Sequence, residues 1–294
     1  MLIIDRAENA NAFYTETFRN LSTEETKIFE RYDGDGRLKE TRRIRSVFIV
    51  YQSPKDGTTG ELRNVVEFNG KSVARQDREV ADFFEKLARS ESITDEMSRI
   101  KKDGNRFDGG ASAWGMTLWQ ESPFGILKPF VEYKIVGHEK LEGRDLIVIE
   151  YLQTRPTLLV KFNPTSEDWR NEPAGRQYAA DVSSGMWPHN PFIKGKIWLD
   201  ATTFETWLNE YKVMLSPPGS KAPVEVLDLS FQYQSNGFKI LLPKRFTMKI
   251  NKVSGSVATP IVKRDRVMTF EYSKFSEFNS EAKDYKINDR PRLD

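Results

Sequence analysis

The sequence predicts an α+β protein built mainly on a long-stranded antiparallel β-sheet. Apolar and polar residues alternate with a period of two over most of the chain, and turn residues divide these stretches into hairpins. Strands of about a dozen residues with one polar face are typical of antiparallel sheets, because parallel strands are usually buried on both faces. A helical period occurs only in the N-terminal half.

The predicted helices are short, and each has one apolar side. The first follows Asp5, with apolar residues at helical spacing at Ala10, Phe13, Tyr14 and Phe18. The same spacing recurs at 80–88 and at 92–100. Ser122-Pro123 is typical of an N-cap followed by proline at the first helical position, opening a turn through Ile126 and Leu127. Because each helix has one apolar side, we expect the helices to lie on the sheet.

The strands are predicted as successive hairpins. The clearest pair, 226–233 and 238–250, flanks the turn Ser235-Asn236-Gly237. Its predicted buried face consists of Leu227, Leu229, Phe231, Ile240, Leu242 and Phe246. The other predicted strands, in a total of about ten, are 27–32, 38–51, 131–138, 146–152, 195–199, 204–214 and 261–272.

The chain is predicted to form a single domain over residues 1–294. The stretch 163–191 is rich in proline, asparagine, serine and glycine and is interpreted as a loop insertion. The residues from about 279 onward form a polar tail. No repeat of solenoid length and no linker divides the sequence.

Composition and charge exclude several classes of protein. The 45 basic and 43 acidic residues give a net charge of +2, which does not favour a nucleic-acid partner. The absence of cysteine excludes disulfides and thiolate chemistry. No stretch approaches the roughly 18 apolar residues of a membrane span, so we expect the protein to be at most peripheral to a membrane. We also expect it to be a monomer. Residues 1–5 are too short for a signal-peptide apolar region, so the protein either is not exported or begins after a cleavage site.

The sequence predicts no catalytic site, metal or cofactor. Zinc would need both histidines, His138 and His189, together with carboxylates. A Ser184–His189–Asp181 triad has no nucleophile elbow to hold the serine. The Asp-Gly-Asp-Gly run at 33–36 lacks the later calcium ligands and is interpreted as a hairpin turn. Nucleotide-binding glycine motifs do not occur.

An apolar cluster is the candidate ligand-binding site. It consists of Trp114, Trp119, Phe124, Ile126, Leu127 and Phe130. One interpretation is that these residues form a cover packed on the sheet as core. The other is that they line an apolar cavity between the cover and the sheet.

The order of elements and one hairpin motif resemble a known family. The motif runs from Lys194 through Lys196-Ile197-Trp198-Leu199-Asp200 to Thr203-Phe204, after a turn at 137–145 and before Leu241-Leu242-Pro243-Lys244-Arg245. This is similar to the LolA/LolB-like periplasmic lipoprotein-carrier superfamily and its outer-membrane lipoprotein-sorting-like relatives. The resemblance implies a sheet curved into a half-barrel, with helices covering the concave face and closing a cavity for acyl chains. It also implies a periplasmic or exported protein.

Two functional hypotheses follow. The first is a non-catalytic protein that binds a lipid, a lipoprotein acyl chain or another apolar molecule in the bacterial cell envelope. The alternative is a structural or protein-interaction module on the same scaffold, in which the protein's own side chains fill the cavity.

Overall fold

The computed structural model describes residues 2–52, 59–73, 123–124, 127–154, 191–215, 222–255 and 260–277. Within these residues there is one α-helix, α1 (Leu2–Thr17), and one 3-10 turn (Lys128–Phe130). The strands are β1 (Leu21–Tyr32), β2 (Leu38–Gln52), β3 (Thr59–Phe68), β4 (Lys71–Ser72), β5 (Val131–Leu141), β6 (Arg144–Gln153), β7 (Pro191–Asp200), β8 (Thr206–Leu215), β9 (Val224–Gln234), β10 (Leu242–Gly255) and β11 (Pro260–Glu277).

The eleven strands form one sheet in the order β4-β3-β2-β1-β11-β10-β9-β8-β7-β6-β5. Strands β5 to β11 pair antiparallel with their neighbours in sequence. The prediction of a long-stranded antiparallel sheet is therefore confirmed. Its curvature into a half-barrel stays a prediction. None of the described helices is long and apolar enough to span a bilayer.

The chain divides into two compact units. The first contains the described residues of Met1–Thr17, Lys27–Arg42 and Trp114–Glu271. The second contains those of Phe18–Thr26, Arg43–Ala113 and Tyr272–Asp294. The first unit holds α1 and β5 to β10, and the second holds β3 and β4. The prediction of one domain over the whole chain stays a prediction.

The predicted hairpin of β9 and β10 is confirmed, with one difference. All six residues of the predicted face are buried, and Phe246 stands opposite Phe231. A bulge between Pro243 and Arg245 shifts the alternation by one residue, so Leu242 pairs with Gln234 on the other face. Leu242 is nevertheless fully buried there. The predicted strand start at 238 is wrong, since β10 begins at Leu242.

Two tight turns have the backbone conformations that their residue types predict. The Asp33 side chain accepts hydrogen bonds from the backbone N–H groups of Asp35 and Arg37, both at 2.9 Å, which makes this run a hairpin turn. These backbone donors hold the pKa of Asp33 below its ordinary value. Between β5 and β6, Glu142 and Gly143 have φ angles of 51° and 81°, as a two-residue hairpin turn requires.

The sequence prediction missed β3 and β4. Asn64 and Val65 are adjacent in β3 and both are buried, so this strand does not show alternating polarity. The turn from β3 to β4 uses Asn69 and Gly70, which both have positive φ angles.

The predicted helices are described only in part. The first is confirmed as α1, whereas 80–88 and 92–100 lie outside the described residues. The turn predicted at Ser122-Pro123 is wrong at Pro123 and Phe124, which form a bend, and the helical turn begins at Lys128. A tertiary contact explains the bend, because the Tyr133 hydroxyl donates to the Pro123 carbonyl oxygen at 2.6 Å. The predicted insertion 163–191 lies outside the described residues up to 190, and its predicted end is wrong at Pro191, where β7 begins. The tail from 279 also lies outside the described residues.

Candidate functional site

One side of β6 to β11 in the first unit is lined by apolar and aromatic side chains, and we call it the aromatic face. Hydrogen-bonded register places Tyr151, Gly195, Tyr211, Leu229, Met248 and Met268 in one row across these six strands. The adjacent row on the same face is Ile149, Ile197, Asn209, Phe231, Phe246 and Phe270. Most of these side chains are buried.

Ring contacts connect the aromatic residues of this face into a chain. Tyr211 stacks on Phe231 at 6.0 Å between centroids, and Phe231 lies 4.4 Å from Phe246. Phe246 in turn lies 5.4 Å from Phe270, which meets Phe29 edge to face at 6.2 Å. Aromatic pairs in this distance range add to the stability that their buried area provides.

A buried hydrogen bond interrupts the apolar character of this face. The Tyr151 hydroxyl lies 2.9 Å from the side-chain oxygen of Asn209, to which it donates, and Asn209 is only 1% exposed. The Tyr151 ring crosses Gly195, where a Cβ atom would lie 2.4 Å from the Tyr151 Cζ. Glycine at this position therefore allows Tyr151 to reach Asn209.

Helix α1 lies over the aromatic face but buries little of itself. Only Ala7 and Tyr14 are classed as buried among its sixteen residues, and Phe13 is 48% exposed. Tyr14 meets Tyr233 of β9 edge to face at 6.1 Å, and Tyr233 alternates in step with Phe231. At the other end of α1, the Arg6 guanidinium lies 5.0 Å from the Phe204 ring centroid. Residues at helical spacing with these two, among them Ile3, Ile4 and Asn11, are half-buried, so α1 has one partly buried side.

A short segment before β5 lies beside α1, and we call residues 123–130 the cover segment. Phe124 is 2% exposed and stacks on Tyr133 with 5.7 Å between ring centroids. Burial, followed by the nearby charge of Glu8, raises the pKa of Tyr133, so its hydroxyl stays a neutral donor to Pro123. The cover segment is also joined to β6, because the Thr154 N–H donates to the Phe130 carbonyl oxygen at 2.9 Å.

Ion pairs connect the cover segment to α1. The Lys128 ammonium lies 2.9 Å from an Asp5 carboxylate oxygen and also pairs with Glu8. Hydrogen bonds from Glu8 and then Asp5 raise the pKa of Lys128. All three side chains are at least 32% exposed, so water can replace this contact at small cost.

The structure brings three of the six predicted ligand-binding residues together. Phe124, Leu127 and Phe130 all lie in the cover segment, where Phe124 is buried and the other two are half-buried. Trp114, Trp119 and Ile126 lie outside the described residues. A role of these residues in binding a ligand stays a prediction.

The hairpin motif on which the family resemblance rests is organised by Asp200. One of its carboxylate oxygens accepts the backbone N–H groups of Thr202 and Thr203 at 2.9 and 3.0 Å. The other accepts from Arg144 of β6 at 2.8 Å. Burial raises the Asp200 pKa, but these donors outweigh it and leave the pKa below its ordinary value. The motif therefore has a structural explanation in the turn between β7 and β8.

The histidines do not form a site in the described part of the chain. His138 lies exposed on β5, and His189 lies outside the described residues. Among the residues that the structure describes, no three histidine or carboxylate side chains are grouped so that they could hold a metal ion.

The second unit contains a buried ion pair that the sequence prediction missed. Arg63 of β3 donates from Nε to both carboxylate oxygens of Glu25 at 3.1 Å. The Glu25 side chain is fully buried, and that of Arg63 is 11% exposed. The Arg63 guanidinium lies 4.1 Å from the ring centroid of Phe48. The sequence carries no clear signal for this pair, because the burial of Glu25 in step with Leu21 and Thr23 is seen only in the fold.

Comparison with known proteins gave matches only among solved structures. No family model and no curated protein matches the chain. A LolA superfamily protein from Nitrosomonas europaea is 9% identical, with a TM-score of 0.30, over 94% of this chain and 92% of that chain. An outer-membrane lipoprotein-sorting protein domain from Vibrio parahaemolyticus is 11% identical, with a TM-score of 0.30, over 96% of both chains. The complex of MucA and MucB from Pseudomonas aeruginosa contains a chain that is 9% identical, with a TM-score of 0.21, over 94% of this chain and 98% of that chain.

Proposed function

We infer that this protein is a non-catalytic binding protein that holds a lipid, a lipoprotein acyl chain or another apolar ligand against its aromatic face. The observation that carries this proposal is the aromatic face itself, an apolar surface that extends over β6 to β11 with α1 lying over it. Of this helix only Ala7 and Tyr14 are buried, while Ile3, Ile4 and Ala10 are half-buried. We propose that the protein acts in the bacterial cell envelope, as the family resemblance implies.

The aromatic face has the chemistry that an acyl chain requires. Burying apolar area releases about 25 cal/mol per Å², and this driving force has no directional requirement. Aromatic rings such as Phe231 and Phe246 present flat apolar surfaces. The Tyr151–Asn209 pair supplies the few polar atoms that ligand pockets commonly place among apolar ones.

The contact between α1 and the cover segment can open at a small cost in free energy. Lys128 holds α1 and the cover segment together through exposed ion pairs, which typically contribute about 0–1 kcal/mol each. Leu127 and Phe130 are half-buried beside this contact. We therefore propose that a ligand enters between α1, the cover segment and the aromatic face.

A fluorescent fatty-acid titration tests the proposal, with Leu127→Ala as the test variant. Leu127 is half-buried, so the substitution removes ligand-facing apolar surface with little loss of packing. We expect Leu127→Ala to weaken fatty-acid binding by roughly three- to tenfold, since losing a few methylene contacts costs about 1 kcal/mol or more. Thermal unfolding measured on the same samples should change little.

Leu38→Ala is the matched control, because Leu38 is 53% exposed at the start of β2. It should leave both fatty-acid binding and thermal stability unchanged. Phe124→Ala separates packing from binding, since Phe124 is buried and stacked and its loss should lower stability by about 3–5 kcal/mol. If the wild type binds no fatty acid, the proposal is wrong and the interaction-module alternative is favoured.

A further inference from the structure

The β1–β2 turn and the far end of the β10–β11 hairpin lie side by side at one end of the first unit. β1 and β11 are neighbours in the sheet, and the Lys263 ammonium donates to the Gly34 carbonyl oxygen of the turn. Arg264 is also close to β1, since its charge opposes the rise in the Tyr32 pKa that burial and Glu30 cause. Side chains of both hairpins therefore share one surface.

This surface has an excess of positive charge. Segments 30–42 and 251–266 together contain eight basic and five acidic residues. Arg31 and Arg42 are paired with Glu40, and Arg266 is paired with Asp265. In the described part of the chain, the other five basic residues form no ion pair. We call these five the basic patch, and they are Arg37, Lys39, Lys252, Lys263 and Arg264.

The acidic residues that remain near the basic patch are too few to neutralise it. Asp33 accepts the backbone N–H groups of Asp35 and Arg37 within the turn. Glu30 accepts from the Tyr32 hydroxyl at 3.3 Å. Together with Asp35 they provide three carboxylates against five cations, four of which are exposed and one half-buried. The basic patch therefore keeps a net positive charge.

Two further features point to the kind of partner. Lys252 stands directly opposite Lys263, an unfavourable arrangement of like charges that a bound anion would relieve. Next to this pair, Ile261 is 51% exposed and Val262 is 39% exposed. Cations beside exposed aliphatic side chains suit an anionic lipid surface, which offers phosphate groups to the cations and an apolar layer to the aliphatic side chains. A polyanion without an apolar layer would leave Ile261 and Val262 in water.

We propose that the basic patch docks the protein on an anionic membrane surface, with Ile261 and Val262 entering the boundary between headgroups and acyl chains. The docking surface is separate from the aromatic face and does not depend on the proposed lipid site. Its preference for anionic lipid comes from the cations, and the aliphatic pair adds affinity that has no charge requirement.

Sedimentation of the full chain with lipid vesicles tests the proposal. We expect binding to vesicles of equal parts phosphatidylglycerol and phosphatidylcholine, and little binding to phosphatidylcholine alone. The affinity should fall as sodium chloride is added, because salt screens exposed charges. Lys252→Gln combined with Lys263→Gln should weaken binding by about tenfold or more, since each cation near an anionic surface contributes about fivefold.

The matched control is Lys134→Gln combined with Lys194→Gln, which removes the same charge from two exposed lysines of β5 and β7. It should change vesicle affinity by less than about twofold, because charges beyond a Debye length of the surface are largely screened. Ile261→Ser should weaken binding by about fivefold through lost apolar burial. Thermal unfolding of each variant verifies that it is folded.

Failure to bind the anionic vesicles would overturn the proposal, and so would equal losses in the two double variants. Binding to soluble polyglutamate that requires Lys252 and Lys263, with no effect of Ile261→Ser, would assign the basic patch to an acidic protein instead. Leu127→Ala, which tests the proposed lipid site, should leave vesicle affinity unchanged. A loss in that variant equal to the loss in the Lys252 and Lys263 variant would show that vesicle lipid is bound at the aromatic face, and would contradict docking through the basic patch.

Discussion

Asp200 illustrates how a single carboxylate can hold the ends of two strands and their turn. Its two oxygens accept from Thr202, Thr203 and Arg144, and the side chain is 9% exposed. Because these donors favour the ionised form, the pKa of Asp200 in the folded protein lies below its value in the unfolded chain. The unfolded chain therefore binds the proton more tightly, and the contribution of Asp200 to stability grows as pH rises.

Asp200→Asn should lower the free energy of unfolding by about 1–3 kcal/mol at pH 7, the usual contribution of hydrogen bonds to a charged group. The difference in unfolding free energy between the variant and the wild type should have its full size above about pH 5. It should shrink as pH falls through the folded-state pKa, because the wild-type carboxyl is then itself protonated. Urea unfolding at pH 7 and at pH 3 measures both values.

Asp145→Asn provides the comparison for Asp200. Asp145 is 76% exposed and lies 3.6 Å from Lys140, so its removal should change stability by less than about 0.5 kcal/mol at either pH. A loss for Asp200→Asn that is the same at pH 3 and pH 7 would show that shape, rather than charge, explains the role of Asp200.

We expect Glu25 and Arg63 of the second unit to have a large coupling free energy. Removing one partner leaves the other charge buried, so Glu25→Gln or Arg63→Met alone should cost about 3–5 kcal/mol. The double variant should recover part of that loss, because no unpaired charge remains. A double-mutant cycle by urea unfolding measures the coupling, and additive losses would argue against it.

At the scale of the strand, Gly195 sets the spacing of β6, β7 and β8. A Cβ atom there would lie 2.4 Å from the Tyr151 ring and 2.6 Å from the Glu210 carbonyl oxygen. Since the second neighbour is backbone, Gly195→Ala should destabilise the protein by about 1–3 kcal/mol or more. Gly34→Ala, where a Cβ would meet nothing within 4 Å, is the control in thermal unfolding and should have little effect.

Reversing the charge of two lysines of β7 should have opposite effects on the stability of the protein. Lys194 faces Lys212, so Lys194→Glu should stabilise the protein by about 0.2–1 kcal/mol. Lys196 has Glu150 and Glu210 as its neighbours, so Lys196→Glu should destabilise it by a similar amount. Chemical denaturation at low salt measures both, and a loss of stability in Lys194→Glu would contradict a repulsion between Lys194 and Lys212.

At the scale of the whole molecule, the sequence predicted the class of sheet and most of its hairpins. Strands such as β9 were predicted because alternation of polarity directly reports one buried face. β3 was missed because Asn64 and Val65 are buried side by side, which conceals the period. The bulge near Pro243 was also missed, since a one-residue shift in pairing leaves no mark in composition.

The candidate site was less predictable than the fold. The cover segment was identified by its apolar residues, but the bend at Pro123 depends on Tyr133, a contact that local sequence does not encode. Glu25 and Arg63 are 38 residues apart, so their pairing follows only from the order of strands. The like-charge neighbours Lys194 and Lys212 likewise follow only from the register of β7 and β8.

The sparse burial of α1 also determines how the molecule fluctuates. Ala7 and Tyr14 are its only fully buried residues, and the others on its inner side are half-buried. Opening of this helix therefore exposes much less surface than opening of the sheet and leaves the hydrogen-bonded ladders of β6 to β10 intact. We therefore expect α1 to form a separate cooperative unit, whose amide hydrogens exchange with solvent deuterium much faster than those of β8 and β9. Equal protection of the helix and these strands in a hydrogen-exchange experiment would contradict this. If the helix exchanges faster, as expected, its opening is a subglobal event within the native state, with a free energy well below that of global unfolding.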